Sequence, residues 1–98
     1  MAIILTHIFE QTDDGVLDHQ EHSRLGKECP AMNLPGVVGG NLYRHVGKPA
    51  FYGDVELENY AALDTWEAWW LSPEGQEWVQ KFGKTGKFVE RIILEKVE

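Results

Sequence analysis

Ala2-Ile3-Ile4-Leu5-Thr6-His7-Ile8-Phe9 is the stretch that decides the fold. Ile3, Leu5 and Phe9 alternate to one side, and Ile4 and Ile8 to the other. A strand that is apolar on both faces belongs inside a sheet that is covered twice. Directly after this strand comes a turn cluster, Gln11 to Gly15, in which Asp13 or Asp14 is placed to cap a helix. Residues 16–29 read as that helix. Asp18, His22, Leu25 and Cys29 form its best stripe, Gly26 weakens it and Pro30 ends it.

Leu34-Pro35-Gly36 opens a second strand, Val37 to Val46, and the Gly47-Lys48-Pro49 turn leads to a third, Ala50 to Glu58. Asn59 is placed to cap a helix from Tyr60 to Leu71. Ser72-Pro73-Glu74 has the chemistry of a restart: Ser caps, Pro fits the first turn and Glu complements the helix dipole. The short helix begun there presents Trp78 and Phe82 and stops near Gly83, and Phe88 to Val97 forms a last strand. The chain therefore reads as one domain, residues 1–98, of the α+β class: a ferredoxin-like βαββαβ antiparallel sheet with its helices on one face.

Such a sheet leaves its other face bare, yet Ile4 and Ile8 of the first strand require cover there. A second subunit's sheet supplies it most simply. Strand three complicates that face with Tyr52, Asp54, Glu56 and Glu58. Either the face is partly wet, or Arg44 and Arg91 pair with its carboxylates. The tryptophans point the same way. All four, Trp66, Trp69, Trp70 and Trp78, fall in the second half of the chain, and a domain this small has little interior to hide them. Trp66 and Trp70 lie one helical turn apart and face the sheet as core; Trp69 and Trp78 suit a pocket rim or a subunit contact.

Nine Lys and Arg stand against sixteen Asp and Glu, a net charge of -7. That excess of carboxylates argues against a phosphate-tracking nucleic-acid surface and against anionic membranes. The N-terminal apolar run is too short for a signal peptide or a membrane span. A single cysteine, Cys29, cannot form an internal disulfide; the expectation is a cytoplasmic protein with a buried, inert thiol.

Three short motifs resemble a known family. They are His22-Ser23-Arg24-Leu25 late in helix one, Leu34-Pro35-Gly36-Val37 at strand two, and Ser72-Pro73-Glu74-Gly75 between the last helices. Their order is similar to that of the EthD-like branch of the dimeric α+β barrel superfamily, and the spacing fits its antibiotic-biosynthesis-monooxygenase-like branch as well. Where the EthD-like pattern has Pro two residues after the His, this chain has Arg24. The resemblance implies a homodimer of face-to-face sheets with a small pocket between helices and sheet in each subunit. Members include cofactor-independent oxygenases, polyketide cyclases, lactone isomerases and haem-degrading enzymes, so the fold narrows the ligand class more than the reaction.

Within that frame His22 is the candidate base, since imidazole titrates near neutral pH and its stripe faces the sheet. Asp18, one turn earlier, is placed to fix its tautomer; the plainer alternative is a helix-end histidine half in water. His7 lies on the Ile3-Leu5-Phe9 face and reads first as a satisfied core residue, second as a partner of His22 in one cavity. Asn41, Tyr43 and His45 alternate along strand two. Tyr43 is a candidate donor to a developing oxyanion, with cross-strand packing as its alternative. Trp66, Phe51, Asn41 and Trp69 are candidate substrate contacts.

Other motifs fall short. His19 and His22 are three apart with Gln20 after the first, whereas the zincin pattern needs a spacing of four and Glu, so no metal is expected. Gly83-Lys84-Thr85 echoes a P-loop, but the required earlier Gly is Trp78. No His follows His45 to supply the helical haem ligand of the haem-degrading relatives. The expected function is a small-molecule enzyme without a dissociable cofactor, oxygenating, cyclising or isomerising an aromatic or polyketide-like hydroxy-carbonyl compound. Its rivals are a non-catalytic dimer that binds an apolar ligand or supports a partner enzyme, and a haem- or flavin-binding protein.

Overall fold

The computed structural model describes residues 1–97. β1 (Ile3–Glu10) lies inside a four-stranded antiparallel sheet of order β2-β3-β1-β4, with β2 spanning Val37–Arg44, β3 Ala50–Leu57 and β4 Lys87–Glu95. The helices are α1 (His19–Glu28), α2 (Tyr60–Leu71) and α3 (Pro73–Gly83), with a 3-10 turn over Pro30–Asn33. The architecture is α+β and ferredoxin-like. Among the described residues no helix is long and apolar enough to cross a membrane.

Register assigns the two faces. Ile3, Leu5, His7 and Phe9 lie opposite Leu57, Val55, Gly53 and Phe51, and directly opposed residues of an antiparallel pair project to the same side. This side meets the helices: Ile3, Leu5, Val55 and Leu57 form one core with Cys29, Ala62 and Trp66. The other side carries Ile4, Thr6 and Ile8 beside Glu56, Asp54 and Tyr52 of β3, and Leu94, Ile92 and Glu90 of β4. No helix among the described residues covers it.

The arginines expected on that open face are not its partners. Arg91 is opposite His7, on the helix side, and its guanidinium pairs with Glu67 of α2. Lys96 approaches Glu56 at 3.6 Å, and Asp54 Oδ1 accepts the Asn41 backbone N–H at 3.1 Å. The face is therefore a mixed apolar and acidic surface within one chain.

Helix α1 starts later than the sequence pattern indicates, because Asp18 rather than Asp13 or Asp14 caps it. Asp18 Oδ1 accepts the Glu21 N–H at 3.0 Å. On the outer side of α1, Arg24 bridges Glu21 and Glu28. Helix α2 begins as expected, Asn59 Oδ1 accepting from Ala62 N at 2.9 Å. The Leu34-Pro35-Gly36 step is architectural. Gly36 has φ +87°, a left-handed conformation that glycine adopts without cost, and its carbonyl accepts Glu58 N–H at 2.9 Å beside the start of α2. The Ser72-Pro73-Glu74-Gly75 step is architectural too. Ser72 Oγ caps α3 at the Gly75 N–H, 3.1 Å away, and Gly75 lets the two helices touch: a Cβ there would fall 2.1 Å from the Trp69 carbonyl oxygen.

Candidate active site

The rows that face the helices do not fill the space beneath them. β3 contributes Gly53 and β2 contributes Gly40 on this side of the sheet, and two glycines leave a hollow where side chains would stand. The result is an open cavity of about 800 Å³. Its floor includes His7, Phe9, Leu42 and Gly53; its roof includes His22, Gly26, Trp66, Trp70 and Phe82; Phe88, Arg91 and Glu67 stand at one side.

His22 lies in an aromatic box. Its ring is 4.7 Å from Phe9 and 4.8 Å from Phe51, both edge-to-face, and 4.7 Å from Phe82. Phe9 and Phe51 stack on each other at 5.2 Å, which fixes two of those walls. Removal from water, and to a smaller extent the nearby His7, push the His22 pKa down to about 4. Near pH 7 the ring is therefore a neutral base. His22 Nδ1 is 3.0 Å from Thr85 Oγ1, and a Cβ placed on Gly53 would lie 3.7 Å from Nε2. One ring nitrogen is engaged by protein, and the other looks toward the vacant floor.

His7 lines the same cavity. Its pKa is lowered by burial first and by the Arg91 charge second, while a hydrogen bond to the Gly53 backbone pulls the other way. Two neutral imidazoles thus face one apolar chamber. A neutral His is both a donor and an acceptor, so the pair can accept a proton at one point and donate a hydrogen bond at another.

The other candidate residues divide. Trp66 is 5% exposed and both packs in the core and lines the cavity. Phe51, 1% exposed, stands behind His22 and holds its ring. Asn41 borders the cavity at its β2 edge, but it is the register partner of Asp54, so its side chain projects to the face away from the helices. Trp69 packs edge-to-face on Trp70 at 4.8 Å as part of the helix layer. Trp78, with the Lys81 ammonium 4.1 Å above its ring, lies on the α1–α3 side.

Tyr43 is separated from His22. It is the register partner of Tyr52, on the face away from the helices, and is 55% exposed. Alternation along β2 accounts for this: Leu42, not its neighbour, points to the helix side. Asp18 does not orient His22 either, because its carboxylate is occupied as the α1 cap. Thr85 occupies that position, and sequence reasoning passed over it. It belongs to the Gly83-Lys84-Thr85 run, whose only evident chemistry was phosphate binding, and no local pattern signals a threonine buried to 1% exposure in the α3–β4 loop. Arg91 and Glu67 were missed for a different reason, since their pairing depends on the β1–β4 register. Cys29 is buried with its thiol pKa raised by desolvation, as suits an inert group.

No family model matches the chain, and no curated protein sequence matches it. Solved structures do. SnoaB, a cofactor-independent oxygenase from Streptomyces nogalater, superimposes with a TM-score of 0.74 at 11% identity, over 99% of this chain and 94% of that one. A putative antibiotic biosynthesis monooxygenase from Chloroflexus aurantiacus gives 0.65 at 12% identity, over 100% and 95%. An EthD family protein from Bacillus halodurans gives 0.64 at 18% identity, over 99% and 100%. At these identities the likeness is one of fold, and it spans nearly the whole of each chain: this chain has the α+β, ferredoxin-like fold that these three structures share.

Proposed function

We propose that the protein is a small-molecule enzyme that works without a dissociable cofactor on an aromatic or polyketide-like hydroxy-carbonyl compound. The observation that carries this proposal is a neutral imidazole, His22, held in an aromatic box at the edge of an 800 Å³ cavity. The structural likeness to a cofactor-independent oxygenase supports it.

His22 Nε2 takes a proton from an acidic C–H or O–H of the bound compound. The bonding electron pair stays on the substrate and spreads into the adjacent carbonyl as an enolate or phenolate. His7 donates a hydrogen bond to that oxygen, in a chamber where the low dielectric strengthens the contact. Trp66 and Phe82 provide flat walls for the ring system. The carbanion then adds to dioxygen, and the resulting peroxide takes the proton back from His22 and loses water to leave a carbonyl (oxygenation); or it adds to an internal carbonyl, whose alkoxide takes that proton (cyclisation); or it is reprotonated at another carbon (isomerisation). The functional unit we infer is a homodimer closed over the uncovered sheet face, in the cytoplasm.

The test is turnover of planar hydroxy-carbonyl aromatics, followed by absorbance and by an oxygen electrode, with the wild type and His22→Ala side by side. Loss of at least ~100-fold in rate, the usual weight of a general base, is expected for the variant on any compound that the wild type converts. Equal turnover by the variant removes His22 from the role of base. A visible absorption spectrum of the freshly purified protein excludes or reveals a bound haem or flavin.

A further inference from the structure

The Thr85 hydroxyl has one proton and two neighbours. Its Oγ1 is 2.7 Å from the Phe82 carbonyl oxygen, which can only accept, and 3.0 Å from His22 Nδ1. The proton therefore goes to Phe82, and the hydroxyl oxygen is left to accept from His22. Nδ1 must then carry the ring hydrogen, and Nε2 must carry the lone pair. The loop that holds Thr85 is itself fixed to α1: the Asp18 N–H donates to the Thr85 carbonyl at 2.7 Å, and the His22 N–H to the Asp18 carbonyl at 3.1 Å. Opposite Nε2 the sheet offers Gly53, whose missing side chain leaves the adjoining floor vacant.

We propose that Thr85 is a positioning residue that holds His22 as its Nδ1–H tautomer, so that Nε2 is an acceptor above Gly53 and selects ligands that bring a neutral hydroxyl, a phenol or an enol, to that point. A ligand carboxylate would set its own lone pairs against that of Nε2, whereas a hydroxyl donates to it. This inference rests on the cavity being the ligand site, but its first test needs no ligand.

Long-range proton–nitrogen correlation spectra of the uniformly nitrogen-15-labelled protein near pH 7 distinguish the two tautomers of each histidine. The wild type and Thr85→Ser are expected to show His22 with the hydrogen on Nδ1. Thr85→Val, which keeps the shape and loses the acceptor, is expected to show a mixture or the Nε2–H form. Hydrogen on Nε2 in the wild type overturns the inference, even if the valine variant fails to fold. An unchanged tautomer in a folded Thr85→Val overturns it as well.

The second test uses 2-naphthol and 2-methoxynaphthalene as probes, titrated by calorimetry. The phenol is expected to bind about 10-fold more tightly than its methyl ether, the weight of one hydrogen bond. Gly53→Ala puts a methyl 3.7 Å from Nε2 and 3.6 Å from Leu42, ordinary contacts that the fold tolerates. It is expected to weaken 2-naphthol by at least ~10-fold without lowering the melting temperature. Equal binding of the two probes, or full phenol affinity in Gly53→Ala, overturns the assigned selectivity. With the expected tautomer present, absence of binding by either probe counts against the cavity as a ligand site.

Discussion

His7 and Arg91 are register partners on β1 and β4, so a half-buried imidazole stands beside a guanidinium that never loses its charge. Burial and that charge act in the same direction on His7, and Glu67, paired with Arg91, opposes them. Arg91→Met is therefore expected to raise the His7 pKa by removing a positive neighbour and leaving Glu67 unpaired. Glu67→Gln is expected to lower it further. Proton NMR titration of the His7 ring checks both, and an unmoved midpoint in either variant disproves the coupling. The ion pair itself is partly exposed on both sides, so neither change should cost more than about 1 kcal/mol of stability.

The neutral state of His22 links pH to stability. Its pKa is about 4 in the folded protein against 6.5 for a free ring, so the unfolded chain binds more protons between those values. The contribution is complete above about pH 6.5, is lost as pH falls toward 4, and changes no further below that. Its size is on the order of 3 kcal/mol, and His7, also lowered, adds with the same sign. Denaturant melts from pH 4 to 7 should show a shallower pH slope in His22→Gln than in the wild type. If the two slopes coincide, His22 is not held neutral. Under the proposed chemistry the rate should fall with decreasing pH on a limb near 4, not near 6.5.

Gly75 sets the distance between α2 and α3. A methyl there meets the Trp69 carbonyl oxygen at 2.1 Å and Trp70 Cα at 2.6 Å, both backbone atoms that cannot turn aside. Gly75→Ala is expected to lose roughly 2–3 kcal/mol through overpacking, even though alanine is the better helix former. Gly26→Ala is the control, because nothing lies within 4 Å of its Cβ position. Gly26→Ala is expected to be neutral or slightly stabilising, since alanine loses less backbone freedom on folding; an equal melting temperature in the two variants would show that the α2–α3 contact does not require glycine.

The succession of elements along the chain and both helix caps at Asn59 and Ser72 were legible because each depends on neighbours in the chain. Period-two alternation placed Ile3, Leu5 and Phe9 together, and capping chemistry marked where α2 and α3 begin. The start of α1 was less clear, since Asp13, Asp14 and Asp18 are chemically equal as caps and packing decides among them. The site was half legible. His22 and His7 could be brought to one cavity by counting faces, but Thr85 reaches His22 across 63 positions of sequence, and no short pattern encodes that distance. Tyr43 shows the converse hazard. A correct alternation does not say which of its two sides meets the helices, and the β2–β3 register turns Tyr43 away.

The uncovered sheet face is where the proposed homodimer is decided. Leu94 stands opposite Ile4 on it and is half exposed in the single chain, while Glu56 and Glu90 share the surface. Two copies related by a two-fold axis would bury Leu94, Ile92 and Ile4 on each side and set the carboxylates at the rim, where water still reaches them. Leu94→Glu adds a carboxylate to the apolar part, and burying it unpaired is prohibitive. Native mass spectrometry is expected to show a dimer for the wild type and a monomer for Leu94→Glu. The His22 ring signals should stay in place, because its cavity opens on the opposite side of the sheet. A wild type that is monomeric at tens of micromolar would leave the apolar pattern of β1 without a partner, and the homodimer would have to be abandoned.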